Sequence, residues 1–143
     1  MIRKLSYLLL LCLFSISGCQ HAGPSEESFI KKYQQAHEKK DIDAALNLVH
    51  MQGVGEDIRQ NLIGSFKDDF KLEIDKLEMV PVPKDQMTEY TAQGKTFKTN
   101  LDVKKVFIIS FKHQAGPAQI NNTKYLIGVV GDQYYITTAV VAQ

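Results

Sequence analysis

At Lys71 the spacing of apolar residues changes from three-and-four to two, and this change constrains the fold more than any other feature of the chain. Upstream, apolar residues recur at helical spacing. Phe29, Ile30, Tyr33 and Ala36 form one stripe. Ala44, Ala45, Leu48 and Val49 form a second, and Ile58, Leu62, Ile63, Phe66 and Phe70 a third. Downstream the alternation is that of strands. Helices followed by strands, without interleaving, predict an α+β domain with the helices gathered on one side of an antiparallel sheet. The length of 143 residues fits one such domain. A formal net charge of +1 argues against nucleic acid as a partner, because phosphate-binding surfaces carry a basic excess.

Local signals refine the elements. Ser25 before Glu26 and Glu27 is a hydroxyl cap followed by acids that complement the helix dipole. Lys31, Lys32, Lys39 and Lys40 fall off the first stripe, are offset by Glu27 and Glu38, and are expected on a solvated face. Asp41 is expected to cap a short second helix, with His50 at its end. Gly53 and Gly55 follow no strand, and Glu56 and Asp57 would repel phosphate, so this loop is not a nucleotide cradle. The third helix starts at Glu56, and its outer face is expected to carry Arg59, Lys67, Asp68 and Asp69. Leu72 and Ile74 share one parity, Leu77 and Met79 the other. Either the helix reaches Ile74 or the first strand is bulged. Pro81 and Pro83 end that strand or place it at an edge.

Thr88–Ala92 reads as a short strand and 93–100 as a polar loop. Val103–Lys112 is the strongest strand and is expected at the centre, since Phe107, Ile109 and Phe111 face one way while Val106 and Ile108 face the other. Thr123–Val130 and Tyr134–Val141 form a hairpin across Gly131, Asp132 and Gln133. The sheet is therefore expected to hold four to five strands.

The first residues have a separate character. Arg3 and Lys4 precede Leu5–Ile16, twelve residues without charge. That length suits a secretory leader and falls short of the roughly 20 residues a spanning helix needs. Ile16-Ser17-Gly18-Cys19 resembles the lipobox of bacterial lipoproteins. The resemblance implies cleavage between Gly18 and Cys19, acylation of Cys19, and handling by the lipoprotein-processing and sorting machinery. Several acyl chains on one residue anchor stably, whereas one binds marginally. Cys12 would leave with the leader, so the mature chain would have neither a free thiol nor a disulfide. Loss of Arg3 and Lys4 turns the formal charge to −1, so lipid rather than charge would hold the protein to the membrane. Gln20 stands where inner-membrane lipoproteins carry Asp, which implies an outer-membrane location facing the periplasm. The expected organisation is a signal peptide over 1–18, a lipidated cysteine and short tether over 19–25, and one domain over 26–143. The five tether residues Gln20–Pro24 reach about 17 Å at full extension.

The order of elements resembles the nuclear transport factor two-like, or cystatin-like, α+β superfamily. The resemblance rests on Lys39-Lys40-Asp41-Ile42-Asp43-Ala44-Ala45-Leu46 after the leading helix, on the helix through Phe66, and on the closing Gln133-Tyr134-Tyr135-Ile136-Thr137. Family members often carry Gly where this chain has Lys40. The family's cone implies a pocket between curved sheet and helices. Relatives use it for isomerase or dehydratase chemistry, for binding without catalysis, or for dimerisation.

Catalysis would need an acid or histidine inside the cone, oriented by a neighbour. The residues of that type are His37, His50, His113 and Asp102, with Tyr33, Tyr90, Tyr125, Tyr134 and Tyr135 as partners. None lies in a catalytic motif, and no His, Cys or acidic spacing is that of a metal site. Tyr33, Tyr90, His113 and Tyr125 are the candidate pocket residues. The chain is thus expected to be a non-enzymatic, lipid-anchored accessory module without metal or cofactor. It would bind a small apolar ligand, another envelope protein or a second copy of itself. The competing expectation is a small pocket enzyme acting on a hydrophobic or carbonyl compound, with His113 or Asp102 as base.

Overall fold

The computed structural model describes residues 23–112 and 121–142. The expected signal peptide, Gly18, Cys19, most of the expected tether and His113 lie outside them. The elements are α1 (Glu26–Lys39), α2 (Ile42–Leu46), α3 (Glu56–Asp69), β1 (Ile74–Pro81), β2 (Glu89–Ala92), β3 (Lys95–Thr99), β4 (Lys105–Phe111), β5 (Asn122–Val130), β6 (Gln133–Ile136) and β7 (Ala139–Val141). Three helices precede every strand, as the change of period predicts. Among the described residues no helix is long and apolar enough to cross a membrane.

The caps form as expected from side-chain chemistry. Ser25 Oγ accepts from the Ser28 N–H at 3.1 Å, and Asp41 Oδ1 accepts from the Ala44 N–H at 3.0 Å. Between them Lys40 ends α1 in the left-handed conformation, with φ 52° and ψ 36°. That conformation is the one glycine adopts without steric cost. His50 falls beyond α2, which stops at Leu46. Its N–H donates to Ile136 O, so it belongs to a short bridge beside β6 and not to a helix end.

The strands divide into two antiparallel sheets where one of four to five strands was expected. The larger has the order β1-β4-β5-β6 and the smaller β2-β3-β7. Two local causes account for the difference. First, the expected polar loop over 93–100 is the second half of a hairpin. Gln93 and Gly94 both take positive φ, 52° and 72°, which turns the chain in two residues and pairs Ala92 with Lys95. Second, the last strand breaks at Thr137 and Thr138. The Asn100 side chain accepts from the Thr138 N–H at 2.9 Å and donates to His50 O at 2.7 Å and Gln52 O at 3.2 Å. The chain then leaves β5 and pairs β7 with β3.

In the larger sheet β4 is internal, between β1 and β5. β1 is an edge strand that ends at Pro81, and its register shifts between Ile74 and Lys76. That bulge lets Ile74 and Leu77, of opposite parity, both pack on the core. Phe107, Ile109, Phe111, Ile127 and Ile136 form the sheet side of one cluster; Phe29, Tyr33, Ala36, Phe66 and Phe70 form the helix side. Phe29 and Tyr33 meet the Phe107 ring edge-on at 5.3 and 5.0 Å between centroids. The sheets touch where the chain between β3 and β4 crosses β5. A Cβ at Gly128 would lie 2.6 Å from Leu101 Cβ and 3.1 Å from Asp102 O, so only glycine fits there.

Candidate functional site

Two places have chemistry beyond packing, one inside the core and one at the surface. The inner one gathers side chains from three elements. Tyr33 and His37, four residues apart, share a face of α1. Thr123 and Tyr125, two apart, share a face of β5. Asp69 closes α3. Its Oδ1 accepts from the Thr123 hydroxyl at 2.9 Å and its Oδ2 from the Tyr125 hydroxyl at 3.0 Å. The His37 Nε2–H donates to the Asp69 main-chain carbonyl at 3.3 Å.

Asp69 is only 4% exposed, which corrects its expected place on the outer face of α3. It stands three residues after Phe66 and seven after Leu62, so helical geometry carries it onto the apolar side. Burial raises the Asp69 carboxyl above its ordinary range, while the two hydroxyls and His37 pull it down. Burial likewise pushes the Tyr33 and Tyr125 hydroxyls well above the usual phenol range, with the neighbouring Asp69 charge adding to it. The Tyr33 hydroxyl is fully buried and has no hydrogen-bond partner among the described residues.

A buried carboxyl beside two phenols is the arrangement a proton-transfer enzyme would use. Here it is enclosed by rings. Phe66 lies 5.7 Å from Tyr125, and Phe70 lies 6.2 Å from Tyr33 and 5.1 Å from His37. Neither groove described below is lined by Asp69, Tyr33 or Tyr125.

The outer place is a groove of about 600 Å³ between α1, α2 and the tip of the β5–β6 hairpin. Ser28, Lys32, Gln35 and Lys39 recur at three- and four-residue spacing and make the α1 wall. Ala44 and Leu48 lie at the floor, and Asp132, Gln133, Tyr134 and Tyr135 make the opposite wall. Gly23, where the described chain begins, is at its margin. A second, more open hollow of about 500 Å³ lies beside the smaller sheet and the loop that follows β3. It is lined by Gln52, Glu89, Lys98, Asn100, Asp102 and neighbours.

Of the candidate pocket residues, the structure unites Tyr33 and Tyr125. Tyr90 stands apart on the smaller sheet, 47% exposed and stacked on Phe97 at 5.1 Å. Asp102 is at the surface, paired with Lys104. Tyr134 and Tyr135 line the outer groove. Asp69, the residue that organises the inner cluster, was missed by sequence reasoning, although its spacing from Leu62 and Phe66 carried the signal. Among the described residues no group of three His, Cys, Asp or Glu is placed to hold a metal ion. Comparison with family models, curated proteins and solved structures finds no match for this chain.

Proposed function

We propose that the chain is a lipid-anchored envelope lipoprotein, held in the outer membrane through Cys19, whose domain is a non-enzymatic binding module. The groove between α1 and the β5–β6 hairpin carries this reading. It is a concave surface with both apolar lining, from Ala44 and Leu48, and converging polar groups, the usual character of a binding site. Its margin at Gly23 is four residues from Cys19, about 14 Å at full extension. Binding at this groove would therefore take place close to the membrane.

A cone of the nuclear transport factor two-like kind is part of the same proposal. The left-handed Lys40 supports it, because the backbone keeps a glycine-type conformation at the position where such proteins often have glycine.

One observation favours the competing reading of a small pocket enzyme: the buried Asp69 beside Tyr125 and Tyr33. The aromatic enclosure of that cluster weighs against it.

Intact-mass analysis of protein purified from its own membranes tests the anchor. The expected mass is that of a chain starting at Cys19 with acyl groups, and Cys19→Ser should leave the membrane fraction with its domain still folded. An unmodified chain, or a Cys19→Ser protein that stays with the membrane, overturns the anchor. Native mass spectra of the same preparation test the module. A retained small molecule or protein, lost on altering Tyr134 or Lys32, supports binding at the groove.

A further inference from the structure

We infer that β1 is a self-association edge: it pairs antiparallel with β1 of a second copy, centred on Leu77, and joins the two larger sheets into one. The inference depends neither on the groove nor on the anchor.

The free edge can be read from the alternation of the ladder. In an antiparallel strand every second residue turns its N–H and C=O to the same side. The Phe111 N–H donates to Asn121 O, on the β5 side, at 3.0 Å, and the Lys112 N–H donates to Glu73 O, on the β1 side, at 2.9 Å. The even-numbered residues of β4 therefore face β1, where Ser110, Ile108 and Val106 stand opposite Lys76, Glu78 and Val80. Those three residues of β1 turn their main-chain groups to β4. Leu77 and Met79 turn theirs outward, and no described main-chain group meets them. The far edge of the same sheet differs, because Ile136 of β6 already exchanges hydrogen bonds with Leu48 and His50. Among the described residues β1 is thus the open side of the larger sheet.

An open edge can accept many strands, and the side chains decide which. Leu77 and Met79 pack on the core, so Lys76, Glu78 and Val80 stand on the face away from the helices. The Lys76 and Glu78 side chains are 62% and 37% exposed and pair with each other at 2.6 Å. A charged edge ordinarily repels a second sheet. Here the order cation, leucine, anion is its own complement when reversed. With Leu77 opposite Leu77 of the second copy, Lys76 of each chain lies opposite Glu78 of the other, and four charges alternate in sign.

The neighbouring two-fold registers lack this match. Centring on Asp75, Lys76 or Glu78 sets like charges directly opposite, which is destabilising. Centring on Met79 sets Leu77 against Pro81, which has no N–H, and Glu78 against Val80. The bulge between Ile74 and Lys76 and the proline at the end of β1 bound the free edge on either side. Since the β6 edge is occupied, pairing through β1 closes at two copies.

The test uses the full chain in its own membranes. Lys76 of one copy and Glu78 of the other would form a non-hydrogen-bonded pair with Cα atoms about 4.5 Å apart, within disulfide reach. Lys76→Cys and Glu78→Cys chains, co-expressed and treated with an oxidant, are expected to trap at least about five times more disulfide dimer than either chain alone. The protein's own cysteines are the same in every sample, so the comparison does not depend on acylation. Charge is tested separately by native mass spectra of purified protein. Lys76→Glu or Glu78→Lys alone places like charges across the edge and should weaken dimerisation about tenfold. Co-expressed, one chain brings two glutamates and the other two lysines, and the mixed dimer should recover the association of the parent. A fold damaged by either substitution would not be rescued by mixing.

No excess of disulfide from the mixed cysteine chains, or charge variants that associate no better together than apart, overturns the inference. Both readouts concern β1 alone, so failure of the groove or of the anchor would leave them unchanged.

Discussion

The two sheets differ in what holds them. The larger puts Phe107, Ile109, Ile127 and Ile136 fully under the helices. The smaller has a strand, β2, exposed at every position, and its apolar row Tyr90, Phe97 and Val141 runs across three strands with Tyr90 and Val141 about half exposed. The first is stabilised by area removed from water. The second depends on main-chain pairing, on the Gln93–Gly94 turn, and on its attachment through Asn100. Regular hydrogen bonding is thus common to both sheets, and burial is not.

Substitutions that separate the two sheets should follow this contrast. Phe107→Ala removes a ring that contacts Phe29 and Tyr33 and should cost about 3–5 kcal/mol in denaturant unfolding. A loss below about 1 kcal/mol would deny the larger sheet its role as the core. Gly128→Ala drives a methyl into Leu101 at the contact between the sheets, with an expected cost of about 1–3 kcal/mol. Hydrogen exchange should show the loss at β2, β3 and β7 before β4; uniform loss would mean that the sheets are not separable there. Tyr90→Ala removes only a stacked, half-exposed ring and should cost about 0.5–1.5 kcal/mol. A larger effect would show that the smaller sheet has a core of its own.

The remaining test is a trend with pH. Asp69 has a carboxyl raised by burial, so the folded state holds its proton more tightly than the unfolded chain. Its stabilising contribution is present below the ordinary carboxylate range and is lost as pH rises through the folded value. Measured by urea unfolding, Asp69→Asn should therefore compare more favourably with the parent at pH 7 than at pH 4. The opposite trend would mean that the hydrogen bonds from Thr123 and Tyr125 outweigh burial.

The same contrast explains which parts of the fold were legible in the sequence. β4 was readable because burial selects its side chains on both faces, and the caps at Ser25 and Asp41 because they are local hydrogen bonds. The bulge in β1 was visible as a change of parity. β3 was hidden: its sequence, Lys95-Thr96-Phe97-Lys98-Thr99, is mostly polar because little of it is buried, and its turn uses Gln93 where Asn or Asp is the usual signal. The break at Thr138 could not be seen at all, since it depends on Asn100, 38 residues away in sequence.

For the sites the pattern is similar. Tyr33 and Tyr125 were identifiable as chemistry-bearing residues, and Asp69 was obscured by the charged run Lys67-Asp68-Asp69. The groove is formed by helix α1 and a hairpin about a hundred residues later, so no local pattern encodes it.

Asn100 has a consequence for cooperativity. Its side-chain amide joins the α2–α3 loop at His50 and Gln52 to Thr138, just before β7, and its main-chain N–H donates to Thr138 O at 2.9 Å. Three stretches of chain, distant in sequence, thus meet at one residue. While that junction is closed, the poorly buried sheet is expected to melt together with the well-buried one. With it open, the domain would have two melting units in place of one, and the smaller would come apart first.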